Sequence, residues 1–367
     1  MNFDHKTKYL IALSCFPKFG AVRLKKLCQH FATDLEAGFK AGQKELIAAG
    51  IDEKIALEFI AARDEIKVEK IIHQLEAENI KVVRWDEENY PPLLKEIYDP
   101  PAILYYRGQL TKNNEYCLAV VGTRNFSLYG QQVTEKITRE LAQNNITITS
   151  GLAYGIDTLA HNATLDVGGR TIAILGTGLD KASIYPGANR YLADKIVSAG
   201  GAIISEFPLK TPPLRYNFPL RNRIISGLSL GVLVIEAAEK SGALITARCA
   251  LEQNREVFSV PGNIYSDVSR GPNFLIKQGA HAVTETADII AALDLAEINT
   301  YIENKKIIGE TEEEKKILAL LNYEPKYIDE LIRLSSLDAS LVNSTLALME
   351  MKGMIKKLDG QQYILAR

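Results

Sequence analysis

The stretch GVLVIEAAEKSGALITARCALEQNREVFSV, residues 231–260, reads as a strand, a helix and a second strand. GVLVIE is apolar along nearly its whole length, GALITARCALEQN repeats apolar residues every three to four positions, and EVFSV returns to an extended pattern. Strands without polar alternation belong in a parallel sheet that is covered on both faces. The helix opens at Ser241-Gly242. Its free amides, the Ser241 hydroxyl and the adjacent Lys240 would make an anion pocket whose natural occupant is phosphate, and the same serine would serve as an ordinary N-cap.

The same rhythm extends upstream. CLAVVG (117–122), ITITS (146–150), TIAIL (171–175) and GAIIS (201–205) recur with centres roughly 25–30 residues apart, with helical patterns such as YGQQVTEKITRELAQNN and IDTLAHNATL between them. The predicted fold class is α/β, a Rossmann-like, doubly wound, mainly parallel sheet. Ligands of such sheets collect beyond the carboxyl ends of the strands, where Gly122-Thr123-Arg124, Ser150-Gly151 and Gly176-Thr177-Gly178 fall here.

Between two of these strands lies SEFPLKTPPLRYNFPLRNRIISGLS (205–229), which places Arg215, Arg221 and Arg223 within nine residues of one another, with Tyr216 and Phe218 among them. Guanidinium groups neutralise phosphates and aromatic rings offer faces to unstacked bases, so single-stranded nucleic acid fits this chemistry. An amphipathic helix with Phe218 in the core and solvated arginines would read the same way. The whole chain carries a net charge of −2, which points to no polyanionic partner. From Lys210 to Arg255, however, seven basic residues stand against three acidic ones, so the basic character is local.

The flanks differ from this core. Residues 1–80 read as a helical module of SAM-like or helix-hairpin-helix type: TKYLIALSCF, AVRLKKLCQHF, KELIAAGI and a long helical run over 53–80. Turns at Phe16–Gly20 and Ala49–Ile51 are of a kind whose amides can hold a DNA phosphate, although packing explains them equally. Residues 81–108 switch to short extended segments around a run of prolines, which sets a boundary near 80 and a core over 81–295. A polar connector over 296–310 reads as a linker. Residues 311–367 give three helices and a terminal strand pair, the layout of a winged helix-turn-helix. From Leu334 to Met351, which spans its third helix, there is no Lys or Arg, so protein contact or weak DNA contact is expected there.

Composition and motifs narrow the chemistry. At 367 residues, 47% hydrophobic and 24% charged, the chain has the balance of an ordered multidomain globular protein. Four scattered cysteines form no C-x-x-C pair, which argues against a disulfide framework or a zinc site and for a reducing cytoplasm. No run approaches the roughly 20 apolar residues of a membrane span, and the start lacks a signal core. No Gly-Lys dipeptide occurs, so the phosphate loop of nucleotide-driven motors is absent, and Gly176-Thr-Gly178 lacks the third glycine of a dinucleotide site. Asp157 reads as a brace for the helix after Gly155, and His161 as packed or hydrogen-bonded. No cofactor, metal or catalytic group is expected.

Six ordered motifs then carry a resemblance: VGTRNFSLYG (121–130), SGLAYGIDTLAH (150–161), GTGLDKASIYPGAN (176–189), FPLRNRIISGLS (218–229), SGALITA (241–247) and VPGN (260–263). The chain resembles the DNA-processing protein A family, also called Smf, over nearly its whole length. The resemblance implies a non-enzymatic cytoplasmic protein that binds and protects incoming single-stranded DNA in natural transformation, helps load the RecA recombinase, and forms a homodimer through its core. Carried over by motif, the DNA-contacting positions are Arg124, Arg215, Phe218, Arg221 and Arg223, with Lys240, Ser241 and Gly242 at the anion pocket. In YPGAN, Gly187 stands where many relatives place a basic residue, for which Lys181 or Arg190 would compensate. The competing reading is a Rossmann-like hydrolase of nucleotide glycosidic bonds using Glu236 and Arg223, but the P-G-G-x-G-T-x-x-E signature of that group is missing.

Overall fold

The computed structural model describes residues 3–32, 34–110, 116–295, 311–321, 326–335, 337–352, 354–358 and 361–365. The chain forms two compact units, Met1–Leu293 and Asp294–Arg367. The expected linker over 296–310 lies outside the described residues.

The first unit opens with helices α1 (His5–Ser14), α2 (Ala21–Phe31), α3 (Leu35–Lys40), α4 (Gln43–Ala48), α5 (Glu53–Ala62) and α6 (Val68–Ala77). The helical run over 53–80 is broken in the structure: α5 ends at Ala62, Arg63–Glu65 form a single 3-10 turn, and the Arg63 guanidinium donates to Phe39 O at 3.2 Å and Ala41 O at 2.7 Å, beside the end of α3. Ile66 is accordingly extended, at φ −81° and ψ 97°. Phe16, Phe19 and Phe59 stack in the core of the module with ring centroids 4.7–5.4 Å apart. Ala49 and Ile51 are buried too, so both turns read as possible phosphate-holding loops carry packing side chains. The module rests on the sheet through a 2.6 Å hydrogen bond between the hydroxyls of Ser14 and Tyr105.

The sheet has nine described strands: β1 (Lys81–Arg84), β2 (Ile103–Gly108), β3 (Cys117–Val121), β4 (Thr147–Ser150), β5 (Thr171–Ile174), β6 (Ala202–Ser205), β7 (Gly231–Val234), β8 (Glu256–Ser259) and β9 (His281–Ala282). Their order is β1-β2-β6-β5-β4-β3-β7-β8-β9. From β6 to β9 every neighbouring pair is parallel, whereas β2 joins β6 and β1 joins β2 antiparallel. The helices α7 (Pro92–Lys95), α8 (Leu128–Gln143), α9 (Ile156–Asp166), α10 (Arg190–Ser198), α11 (Asn217–Gly227), α12 (Gly242–Glu252), α13 (Arg270–Lys277) and α14 (Thr286–Ala292) complete the unit. Strands β3 to β7 are buried at every position, which is why their sequences show no alternation. A buried Val, Leu or Ile in them contributes roughly 1.5–3 kcal/mol.

The second unit has helices Glu312–Leu320, Ile328–Ser335 and Ala339–Met351, and a three-stranded antiparallel sheet in which Gln362–Leu365 lies between Lys326–Tyr327 and Ile355–Leu358. Ile317, Leu331, Val342, Leu346 and Met349 fill its core. Thr311 caps the first of these helices, accepting from Glu314 N at 3.2 Å. This is a winged helix.

Candidate nucleic-acid interface

Because β3 to β8 run parallel, the loops that follow them emerge at one rim of the sheet. The order of strands reverses between β3 and β7, the position where sheets of this kind open a crevice. Here the crevice is closed by hydrogen bonds. Thr123 N donates to Glu236 O at 2.7 Å, and Ile156 N donates to Thr123 O at 3.2 Å. Gly155 sits at φ 83°, and a Cβ on it would lie 2.3 Å from Thr123 O, so only glycine permits this approach. The turn is thereby clamped, and the Arg124 side chain projects exposed from it.

Glu236, 2% exposed, accepts from Ser127 N at 2.9 Å and from the Ser127 hydroxyl, while Ser127 caps α8. Its carboxylate braces the start of a helix. Arg223 has different partners altogether, Asp99 at 2.8 Å and Glu206 at 2.6 Å. The pair proposed for the hydrolase reading is thus divided between two separate networks.

On the β7 side, Ser241 caps α12 by accepting from Ala243 N at 3.3 Å, and Asn222 Nδ2 reaches from α11 to Gly242 O at 3.2 Å. Gly242 has open space where a Cβ would be, and Lys240 is exposed. Two of the first amides of α12 are thus taken up by Ser241, Ala243 N by its hydroxyl and Leu244 N by its carbonyl at 3.1 Å, while the side of Gly242 is open and flanked by a cation.

The first turn of α11 lies across the end of β5. Phe218 is half-buried, and a Cβ on Gly176 would come within 3.0 Å of its ring, so a glycine there lets the aromatic face settle on the loop. The other neighbour is Tyr185, with ring centroids 5.9 Å apart and planes tilted by 49°. Arg215 precedes the helix and is exposed.

Two expected contacts need correction. Arg221 is 4% exposed; its Nη1 donates to Gly151 O at 2.7 Å and to Ile174 O, tying the loop after β4 to the end of β5. Burial lowers its pKa to about 10, countered by the Asp157 carboxylate and reinforced by the charge of Arg124. Arg223 is likewise held inside, by Asp99 and Glu206. Tertiary carbonyls and carboxylates hold both guanidinium groups in place, and of the Arg223 donors Nε and Nη2 are paired while Nη1 is buried without a hydrogen-bond partner. Lys181 is exposed on the loop between β5 and α10 and Arg190 at the first residue of α10, from which it donates to Ala182 O at 2.8 Å.

Beneath the rim, Asp157 accepts from Gly151 N at 3.1 Å and Ala153 N at 3.3 Å, and burial raises its pKa. His161 shares a 2.7 Å hydrogen bond with Thr171. Burial, followed by the charge of Arg221, lowers its pKa to about 3. Nothing local in the motif at 176–189 marks the Tyr185 ring, which the packing of α11 brings against Phe218. Of the positions carried over by motif, Arg124, Arg215 and Lys240 are exposed cations at the rim, with Ser241, Gly242 and the partly open Phe218 ring alongside; Lys181, Arg190 and Lys210 are exposed there as well. Among the described residues no cluster of three His, Cys, Asp or Glu is placed to hold a metal, and no helix is long and apolar enough to cross a membrane.

Residues 81–294 match the family of DNA recombination-mediator protein A, and residues 305–361 the DprA winged helix domain. Protein Smf of Escherichia coli is 51% identical over 62% of this chain, the match spanning 60% of that relative's length. Protein Smf of Synechocystis is 36% identical over 97% of this chain and 98% of the relative. Among solved structures, DNA processing protein A from Streptococcus pneumoniae is 34% identical with a TM-score of 0.66, covering 79% of this chain and 98% of that one. DNA processing protein A from Helicobacter pylori, described by its single-stranded DNA binding mode, is 32% identical with a TM-score of 0.52, covering 58% and 95%.

Proposed function

The chain belongs to the DNA recombination-mediator protein A family, and on that premise we propose that it binds single-stranded DNA along the carboxyl rim of its sheet. The observation that carries this reading is the placement of Arg124, Arg215 and Lys240, three exposed cations on loops of one rim, beside a half-buried Phe218. Cations without carboxylate partners neutralise phosphates, and an aromatic face accepts an unstacked base whatever its identity. The role proposed is non-enzymatic and cytoplasmic: the protein shields an incoming strand during natural transformation and helps load RecA on it.

A homodimer built through the core is part of the proposal. Ile264, Tyr265 and Phe274, in the segment after Pro261, expose large apolar surfaces, with Tyr265 89% exposed. Two linked subunits would hold one strand with avidity. Sedimentation at micromolar concentration is expected to show the dimer, and a strict monomer would remove this part of the reading.

The direct test is a titration of the purified protein with single-stranded and duplex DNA of equal length at several salt concentrations. Strong preference for the single strand is expected. Equal affinity for both forms, or none for either, would overturn the proposal. For RecA, the rate of filament formation on a strand already coated by this protein should exceed that on a strand coated by a generic single-strand binder.

A further inference from the structure

A cavity of about 690 Å³ lies between the turn joining α1 to α2 and the segment 206–223. This volume suits a molecule the size of a nucleotide. The first turn of α11 has two faces: Phe218 rests over Gly176, whereas Tyr216, Asn217 and Leu220 line the cavity. Val22 faces them from the helical module. Val22, Tyr216 and Leu220 are each more than half exposed, an apolar rim of a kind that solvent alone does not explain. Asn217 is 2% exposed, and its Nδ2 has no hydrogen-bond partner, an uncommon state for a buried donor.

The charges of the lining are uneven. Asp52 is paired with Arg23 at 3.1 Å, and Asp99 and Glu206 are both paired with Arg223. Lys26 and Lys210 remain, exposed and without a carboxylate in ion-pair range among the described residues; Lys26 Nζ donates only to Gly50 O, at 3.1 Å. Apolar and aromatic walls, two exposed lysines and a net excess of one positive charge over the lining match a base attached to a phosphodiester, rather than a neutral apolar peptide. Continuity points the same way, since Tyr216 follows Arg215 directly.

We propose that this cavity is a second subsite for single-stranded DNA, in which a strand leaving the rim at Arg215 places a base between Tyr216 and Val22, its phosphates meeting Lys210 and Lys26. The inference rests on the rim being a single-strand site, and it makes the helical module part of the nucleic-acid surface. The test uses the full chain, an oligothymidylate too short to extend past the rim, and a longer one carrying 5-iododeoxyuridine. Photocrosslinking of the longer strand is expected to label a peptide within Ala21–Phe31. The double variant Lys26→Ala, Lys210→Ala should weaken the longer strand several-fold, reduce the magnitude of its salt slope by about 1.4, and leave the short strand unaffected. Crosslinks confined to core peptides, with unchanged affinity in that variant, would overturn the subsite and leave the rim reading intact. If Arg124→Glu leaves the short strand bound at full affinity, the rim reading itself fails and this inference falls with it.

Discussion

The Arg221 guanidinium donates a 2.7 Å hydrogen bond to the carbonyl of Gly151, across 70 residues of sequence. With its second bond to Ile174 O, it fixes two of the loops that shape the rim, from a buried position. Arg221→Met keeps much of the volume and leaves both carbonyls without their donor. A loss on the order of 2–4 kcal/mol in unfolding free energy is expected. Arg124→Ala, on an exposed turn, should stay within about 0.5 kcal/mol of the parent while losing DNA affinity. Urea unfolding of both variants beside a binding titration checks the pair, and an Arg221→Met protein of unchanged stability would refute the structural role.

With Arg221 and Arg223 held by internal partners, Arg124, Arg215 and Lys240 are the phosphate contacts proposed for the rim. If each neutralises one phosphate of a short strand, the slope of log affinity against log salt should be about −2. Reversing any one of them to Glu should shrink the magnitude of that slope and weaken all sequences alike. A slope near zero in the parent protein would show that these cations do not meet the backbone.

The central strands were legible because burial on both faces removes alternation, leaving runs such as GVLVIE that nothing else explains as well. The cap at Ser241 was legible for a local reason, since a hydroxyl before a helix has one common use. What could not be read was the fate of individual arginines. Arg215 and Arg221 share one segment and one residue type, yet Arg221 meets carbonyls 47 and 70 residues away while Arg215 stays exposed. The break after Ala62 is equally hard to read locally, and there too the structure has a long-range bond, from Arg63 to Phe39 and Ala41. Strand β9, only two residues long, carries too little pattern to be seen in sequence.

His161 sets an acid limit on stability. It is neutral and buried when folded, with its pKa lowered from 6.5 to about 3 by burial and by the charge of Arg221. Below 6.5 the unfolded chain takes up a proton there that the folded chain does not, so its contribution to stability is lost as pH falls from 6.5 toward 3. The expected slope is up to about 1.4 kcal/mol per pH unit. In His161→Gln that component should vanish, and unfolding titrations at pH 7, 6 and 5 would show a flatter profile than the parent. Parallel profiles would mean that His161 protonates in the folded state.

Truncation after Leu295 should leave single-strand affinity within a few-fold of the full chain. The third helix of the winged unit, Ala339–Met351, carries no Lys or Arg, and its Leu341 and Leu348 are exposed instead. A helix without cations has no charge with which to neutralise a phosphate and release its counterions. If the truncated protein folds, as judged by its circular dichroism and cooperative melting, yet loses most of its affinity, the winged helix binds DNA by a route other than its third helix.

Phe218 separates stacking from packing. Its ring touches Tyr185 on one side and rests over Gly176, so part of its contact area is structural whether or not DNA is present. Phe218→Ala therefore mixes two effects, and an affinity loss of about 1–3 kcal/mol would not by itself assign a stacked base. Phe218→Leu keeps most of the apolar volume against Gly176 and removes only the aromatic face. If a base stacks there, the leucine variant should lose nearly as much affinity as the alanine variant while melting close to the parent. If the leucine variant binds like the parent and only the alanine variant is weakened, the ring serves α11 alone, and the rim holds its strand by charge.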